Sequence, residues 1–362
     1  MPESSIVVRP EPMESGSYTA SSRLQAAGLR DAIKLFEEAA AAVPVPRLPQ
    51  PFVIADYGAS TGHNSLLPIG AAIAVLRKRT RTDHPTLVVH TDVPGNDFTA
   101  LFRTLAEDPD TYLSKDAAAF ASVIGRSFYS QIMPSSSVNL GWSSWAIHWL
   151  SRVPGPIPDH LHVAYSSDER VRDAYARQAA QDWQEFIAFR GRELCRGGRL
   201  LVVTAAVDED GDSGYRPLLG ALIDTIDELV AERLLTTDEV YRMGIPIVGR
   251  RESDFLAPFA PKGRFEQLEI EHLQIFDAGD RFWQQYEVDG NADVFGAQWA
   301  AFCRAAVFPT LVGALECAAG DPRPTTVIDR LEAGLATRLA AAPEKTRIPM
   351  AYLVLAKRPK TT

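Results

Sequence analysis

Apolar runs alternate with amphipathic stretches along most of this chain, the order expected of strands and helices in turn. Val53-Ile54-Ala55-Asp56-Tyr57 reads as a buried strand that enters the small-residue turn Gly58-Ala59-Ser60-Thr61-Gly62-His63-Asn64, with a helix from Ser65 to Val75. Leu87-Val88-Val89-His90-Thr91-Asp92 reads as a second buried strand. Phe98, Leu101, Phe102 and Leu105 recur at helical spacing and predict a helix over 98–108. Upstream, an alanine-rich helix spans 23–43 and is stopped by Pro44, Pro46 and Pro49. Downstream, a long helix over 173–195 is closed by Gly197-Gly198, and 199–206 is the strand after it. The acidic, glycine-containing stretch 208–213 is a loop. Helices over 218–235, 294–308 and 327–339 and strands over 265–276 and 348–356 complete the pattern. Strand and helix in alternation predict an α/β fold around a parallel sheet, interrupted by a mostly helical cap.

The turn after the first strand is the leading candidate for chemistry. Glycines let a backbone approach a ligand closely, and the helix that follows offers unpaired N–H groups. No Gly-Lys-Ser/Thr follows, so this is not a phosphate-binding P-loop, and the Gly-x-Gly-x-x-Gly of dehydrogenases is absent. Asp56 brings a negative charge where a phosphate loop wants none. An acid with Gly-x-x-x-Gly suits a cationic, phosphate-free cofactor such as S-adenosylmethionine; a plain structural turn is the bland alternative. Asp92 ends the second strand 36 positions after Asp56. In doubly wound sheets an acid there accepts both ribose hydroxyls, whereas standing alone Asp92 reads equally as a turn residue before Pro94-Gly95.

Composition narrows the class. The 362 residues are 46% hydrophobic and 23% charged, ordinary for a soluble globular protein of one elaborated domain or two. A net charge of -9 argues against nucleic acid or an anionic membrane as the main partner. Cys195, Cys303 and Cys317 show no C-x-x-C spacing and fit buried thiols in a reducing, cytoplasmic setting. His160 and His162 are close, but no third ligand accompanies them, so no metal centre is expected. The polar start, Met1 to Arg9, does not read as a signal peptide, and the apolar run 66–76 is too short to span a bilayer.

Several blocks together resemble one family. They are Met13 to Tyr18 with Ser21-Ser22-Arg23-Leu24-Gln25, then Ala55 to Asn64, then Thr91-Asp92-Val93-Pro94-Gly95-Asn96-Asp97-Phe98. Ser127-Phe128-Tyr129 and Ser143-Ser144-Trp145-Ala146-Ile147-His148-Trp149-Leu150-Ser151-Arg152-Val153-Pro154 follow, with Arg190, Glu193-Leu194, Gly197-Gly198-Arg199 and Arg304 further on. In this order they are similar to the SABATH family of S-adenosylmethionine-dependent methyltransferases, which make methyl esters of salicylate, benzoate, jasmonate and indole-acetate and act in caffeine biosynthesis. The resemblance is dense over 13–206 and thin beyond it. Glu14 stands where the family usually has asparagine, and Trp145 where it has tyrosine.

The resemblance implies a Rossmann-like class I methyltransferase sheet with a mostly helical cap. An N-terminal segment (1–50) would cover the site and a cofactor-binding core would occupy 51–208. Strands near 265–276 and 348–356 would complete that core, and 209–262 with 286–344 would form the substrate cap. It implies a cofactor site of Tyr18, Ser22, Asp56, Gly58, Asn64, Asp92, Val93, Ser127 and Phe128. Gln25 and Trp149 would hold a substrate carboxylate by neutral N–H donors, with Trp145 and His148 beside them. On the residues alone Trp149 is a core aromatic and Gln25 a surface helix position; His148 reads as a pocket wall or a polar substrate contact. A carboxylic acid with a pKa of about 4.3 is already ionised at neutral pH, so the transfer needs no general base, only alignment and exclusion of water. A small carboxylic acid as substrate and a homodimer are the implied partners. An N-methyltransferase of xanthine-like compounds and a non-catalytic binding module are the alternatives, and the stretch Tyr241 to Phe259 is expected to choose the substrate.

Overall fold

Among the described residues seven strands form one mixed sheet. The computed structural model describes residues 29–318 and 320–358. In chain order the elements begin with helix α1 (Leu29–Ala42), strand β1 (Phe52–Tyr57), α2 (His63–Arg77), β2 (Thr86–Asp92), α3 (Phe98–Glu107), the single turn α4 (Tyr112–Lys115) and β3 (Ala119–Gly125). β4 (Val138–Ser144), the long α5 (Glu169–Glu193) and β5 (Leu194–Ala205) follow. Then come α6 (Arg216–Ala231), α7 (Thr237–Arg242), α8 (Glu252–Leu256), β6 (Leu268–Asp277), α9 (Arg281–Asp289), α10 (Ala292–Ala306), α11 (Phe308–Val312), α12 (Arg323–Ala341) and β7 (Pro349–Lys357). The strand order is β3-β2-β1-β4-β5-β7-β6. β1 to β5 run parallel, while β7 lies antiparallel between β5 and β6. The order reverses between β1 and β4, and crevices for ligands form at such switch points.

Both faces of the sheet are covered, so its central strands are apolar without interruption. Phe52, Ile54, Leu201 and Val203 face one buried cluster with α1 and α2, and the alternate residues Val53, Ala55, Leu200 and Val202 face another with Trp183, Phe186 and Ile187 of α5. The first cluster continues without a break into α6, α10, α11 and α12 through residues such as Leu222, Trp299, Leu311 and Leu335. These helices therefore share the core of the sheet. No helix connects β3 to β4, and the edge strand β3 leaves Phe120 exposed.

Several boundaries differ from the pattern read in the sequence. α5 ends at Glu193 and β5 starts at once. Gly197-Gly198 does not close a helix but forms a bulge inside β5, where the pairing jumps from Val138↔Leu194 to Leu140↔Arg199. The helix expected over 294–308 breaks at Val307, because Pro309 in the first turn of α11 has no N–H to continue α10. β3 and β4 carried no clear strand signal. Among the described residues no helix is long and apolar enough to cross a membrane.

Candidate active site

At the carboxyl ends of β1, β2, β4 and β5 the layers part around a cavity of about 520 Å³. The β1–α2 turn builds one end. Gly58 has φ +88° and a Cβ there would lie 2.4 Å from the Ala146 Cβ; Gly62 has φ +82° and a Cβ would lie 2.4 Å from Leu101 Cδ1. Both positions need glycine. The Gly58 and Ala59 N–H groups donate to Thr91 O at 2.9 Å, which ties the turn to the tip of β2. Asp92 follows directly. Its Oδ2 accepts the Ser60 N–H and its Oδ1 the Val93 N–H, each at 2.7 Å, and the residue lines the cavity beside Gly58, Asn64 and Val93. Burial pushes its pKa up to about 6; the two backbone donors oppose the rise and the Asp56 charge adds to it.

Asp56 itself is not on the cavity wall. Strand alternation puts it on the face of Phe52 and Ile54, and the register Asp56↔His90 brings an imidazole alongside. Its carboxylate accepts the His90 Nδ1–H at 2.8 Å, and the Tyr112 hydroxyl of α4 meets Nε2 at 2.9 Å. All three are buried. The Asp56 side chain therefore ties β1 to β2 and α4, away from the cavity where the resemblance put it.

Ser127 and Phe128, just past β3, also line the cavity. Their loop has no helix to hold it. Instead Arg190 of α5 donates to Phe128 O at 2.8 Å and Ser130 O at 2.9 Å, while Glu193 accepts the Ile132 and Met133 N–H groups at 2.5 and 3.0 Å. The two side chains pair at 2.9 Å with no exposure, and the Tyr57 hydroxyl donates to Glu193 at 2.8 Å.

The other end of the cavity is the segment after β4. Trp145 adopts φ +56°, a left-handed conformation unusual for a bulky residue, and its buried indole Nε1 has no partner among the described residues. His148 is buried, and its Nδ1 is likewise unpartnered. Burial, then the charges of Arg250 and His162, push its pKa down to about 3, so the ring is neutral at physiological pH. Trp149 also lines the cavity, and the His148 ring lies 6.2 Å from the Trp145 ring and 6.1 Å from that of Trp149. The segment is held from several sides: the Tyr129 hydroxyl donates to Trp149 O at 2.6 Å, buried Arg250 to Ile147 O at 2.8 Å, and Ser151 donates both N–H and O–H to Asp182. Leu218, Leu219 and Leu222 of α6 and Phe302 of α10 supply an apolar wall opposite.

Of the sequence-derived site residues, the structure thus gathers Gly58, Asn64, Asp92, Val93, Ser127, Phe128, Trp145, His148 and Trp149 around one cavity. Tyr18, Ser22 and Gln25 lie outside the described residues. Trp142 of β4, close to these aromatics in the sequence, faces the other way and packs against Phe36 at 4.9 Å. From the stretch 241–259 only Ile245, Ile247 and Gly249 reach the wall, and Tyr241 is exposed. Sequence reasoning missed His162, Tyr215 and the α10–α11 junction; of these only the His-x-His spacing gave any signal.

Comparisons with known proteins agree with this geometry. A family model described as SAM dependent carboxyl methyltransferase matches residues 11–358. Indole-3-acetate O-methyltransferase 1 of Arabidopsis thaliana is 29% identical over 313 residues, 80% of each chain. Anthranilate O-methyltransferase 1 of Zea mays is 26% identical over 370 residues, 94% of this chain and 93% of that protein. The solved structure of loganic acid methyltransferase with SAH superposes with a TM-score of 0.75 at 22% identity, over 96% of this chain and 99% of that one. It shares the class I methyltransferase fold.

Proposed function

The chain belongs to the family of S-adenosylmethionine-dependent carboxyl methyltransferases, and from that premise we propose that it converts the carboxylate of a small, largely apolar acid, aromatic, indolic or isoprenoid, to its methyl ester. The observation that carries this reading is the chemistry of the cavity wall. It holds one acid, Asp92, at the glycine-turn end, and no lysine or arginine among its described residues. An anion bound there meets neutral donors only.

The residues fit the cofactor. Asp92 offers carboxylate oxygens to a ribose, Gly58 gives close backbone approach, and Val93, Ser127 and Phe128 would flank the adenine. When bound, S-adenosylmethionine supplies a methyl group activated by its sulfonium. The Trp149 indole N–H, with Gln25 as its partner, would orient the acid by neutral hydrogen bonds that leave its charge in place. His148, neutral across the working pH range, holds no imidazolium proton to pass to the carboxylate. Trp145 and the leucines of α6 would exclude water and hold the apolar body. The helices α6, α10, α11 and α12 act as the cap, and the homodimer is carried as part of this proposal.

Two results are expected here. Trp149→Phe keeps the ring and deletes the donor, so kcat/KM should fall roughly ten- to a hundredfold, about 1.4–2.7 kcal/mol of transition-state binding, with cofactor affinity little changed. Cofactor affinity should also depend on pH. Ribose hydroxyls favour the ionised carboxylate, so protonation of Asp92, with its pKa of about 6, competes with binding. Affinity should be level above pH 7 and about tenfold weaker at pH 5; a flat calorimetric profile from pH 5 to 8 would count against Asp92 as the ribose acceptor. Mass spectrometry on a panel of aromatic, indolic and isoprenoid acids tests the function itself. Methylation of xanthines or phenols but of no acid overturns the carboxyl assignment, and methylation of nothing favours a binding module.

A further inference from the structure

His162 lines the cavity, yet holding a carboxylate and its methyl donor gives it no task. It caps the 3-10 turn Val163–Tyr165, where its ring Nδ1 accepts the Ala164 N–H at 3.2 Å. A backbone N–H can only donate, so Nδ1 is the bare nitrogen and Nε2 carries the ring proton. One hydrogen bond thus fixes both the rotamer and the tautomer.

The ring is buried, and no described residue bonds to Nε2. Burial pushes its pKa down to about 4, with His160 adding to the effect, so it presents a neutral donor and not a cation. The backbone beneath it is also fixed: Ile245 N–H donates to Leu161 O at 2.8 Å, and the single Tyr165 hydroxyl proton is shared between Asp212 Oδ1 and Gly214 O. Ile245, Leu218 and Leu222 of the same wall carry apolar side chains, and His148, which shares the cavity and feels the His162 ring, leaves its own Nδ1 unpartnered, so the two rings do not bond to each other. Nε2–H has no acceptor among the described residues, so an apolar ligand that displaces water from it leaves the donor unpaired, whereas a ligand that carries an acceptor does not.

We propose that the His162 Nε2–H reads a second polar group on the substrate, an acceptor oxygen (hydroxyl, ether or carbonyl) remote from the carboxylate on an otherwise apolar acid. The inference rests on the carboxylate reading above and adds this group to it. A site with a fixed donor on its wall rejects the analogue that lacks the acceptor far better than an apolar pocket rejects a missing methylene.

The test uses pairs of acids that differ only in the acceptor, such as an aromatic acid and its ring-hydroxylated or ring-methoxylated forms. For each pair kcat/KM is measured with the wild type, His162→Asn and His162→Phe, and the acids' dissociation constants are measured on protein saturated with S-adenosylhomocysteine. Asparagine keeps an acceptor for the Ala164 N–H but withdraws the Nε2 donor, so it separates reading from capping. The wild type should prefer the acceptor-bearing member by about tenfold or more in both measurements. Both variants should bring that ratio close to one, with S-adenosylhomocysteine affinity held within about threefold. Acids methylated by the wild type without preference, or a preference that survives in His162→Asn, overturns the inference and leaves the carboxylate reading standing. If no acid is methylated or bound, the carboxylate reading falls and the inference falls with it.

Discussion

Asp92→Ala is expected to weaken S-adenosylmethionine binding by two orders of magnitude or more. Each carboxylate oxygen of Asp92 already accepts one backbone N–H, from Ser60 and from Val93. A carboxylate has about four lone-pair sites, so acceptor capacity remains for two ribose hydroxyls. Hydrogen bonds to a charged acceptor contribute about 1.5–3 kcal/mol each, and losing two costs at least about 3 kcal/mol, a factor above a hundred. The variant should still fold. A pKa raised by burial means that the ionised side chain is a cost to the empty fold at neutral pH, and removing it relieves that cost while releasing two N–H groups at the cavity edge. Asp92→Asn, which retains one acceptor, should fall between. Calorimetry on the folded variants decides the matter: an unchanged dissociation constant in Asp92→Ala removes this residue from the cofactor site.

The parts of the site that were legible in the sequence are those set by backbone need. The Gly58 and Gly62 turn and the acid ending β2 stand out because apolar runs fix the strands on either side and glycine is the residue that tolerates those close approaches. The placing of Asp56 was less legible. Its position at a strand end suggested the cavity, but the side-chain period of two assigns it to the face of Phe52 and Ile54, and the in-register His90 could have marked that. β4 was hidden for another reason. Val138-Asn139-Leu140-Gly141-Trp142-Ser143-Ser144 does not look like a central strand, yet every residue is buried. Two of its polar side chains are satisfied by neighbours: Asn139 Oδ1 accepts the Val53 N–H at 2.9 Å and the Ser143 hydroxyl donates to Tyr57 O at 2.9 Å. The apolar wall was unreadable because it comes from two helices some eighty positions apart, α6 and α10, whose inward faces resemble any core stripe. Legibility therefore ended where the tertiary pairing, not the local pattern, decides what a side chain faces.

The same distinction makes Arg190→Met the most informative test of how the cavity is held in shape. In the sequence Arg190 and Glu193 are two more charged positions on a long helix. In the structure they are an ion pair with no exposure, and between them they hold the loop that carries Ser127 and Phe128. Arg190 also lies 4.3 Å over the Tyr57 ring, whose hydroxyl, its pKa pushed up mainly by burial, remains a donor to Glu193. Methionine fills much of the arginine's volume but leaves a buried carboxylate without its cation and the carbonyls of Phe128 and Ser130 without their donor. Removing one partner of a buried pair costs about 3–5 kcal/mol, a large share of the 5–15 kcal/mol typical of a folded domain. Denaturant unfolding should show a loss of that size, and S-adenosylhomocysteine affinity should fall with it as the loop loosens. Arg190→Met combined with Glu193→Leu should be less damaging than the two single changes summed, since it no longer strands a charge. If Arg190→Met moves stability by less than about 0.5 kcal/mol, the pair does not hold the loop, and the shape of this end of the cavity must rest on packing around Phe128 and Phe186 instead.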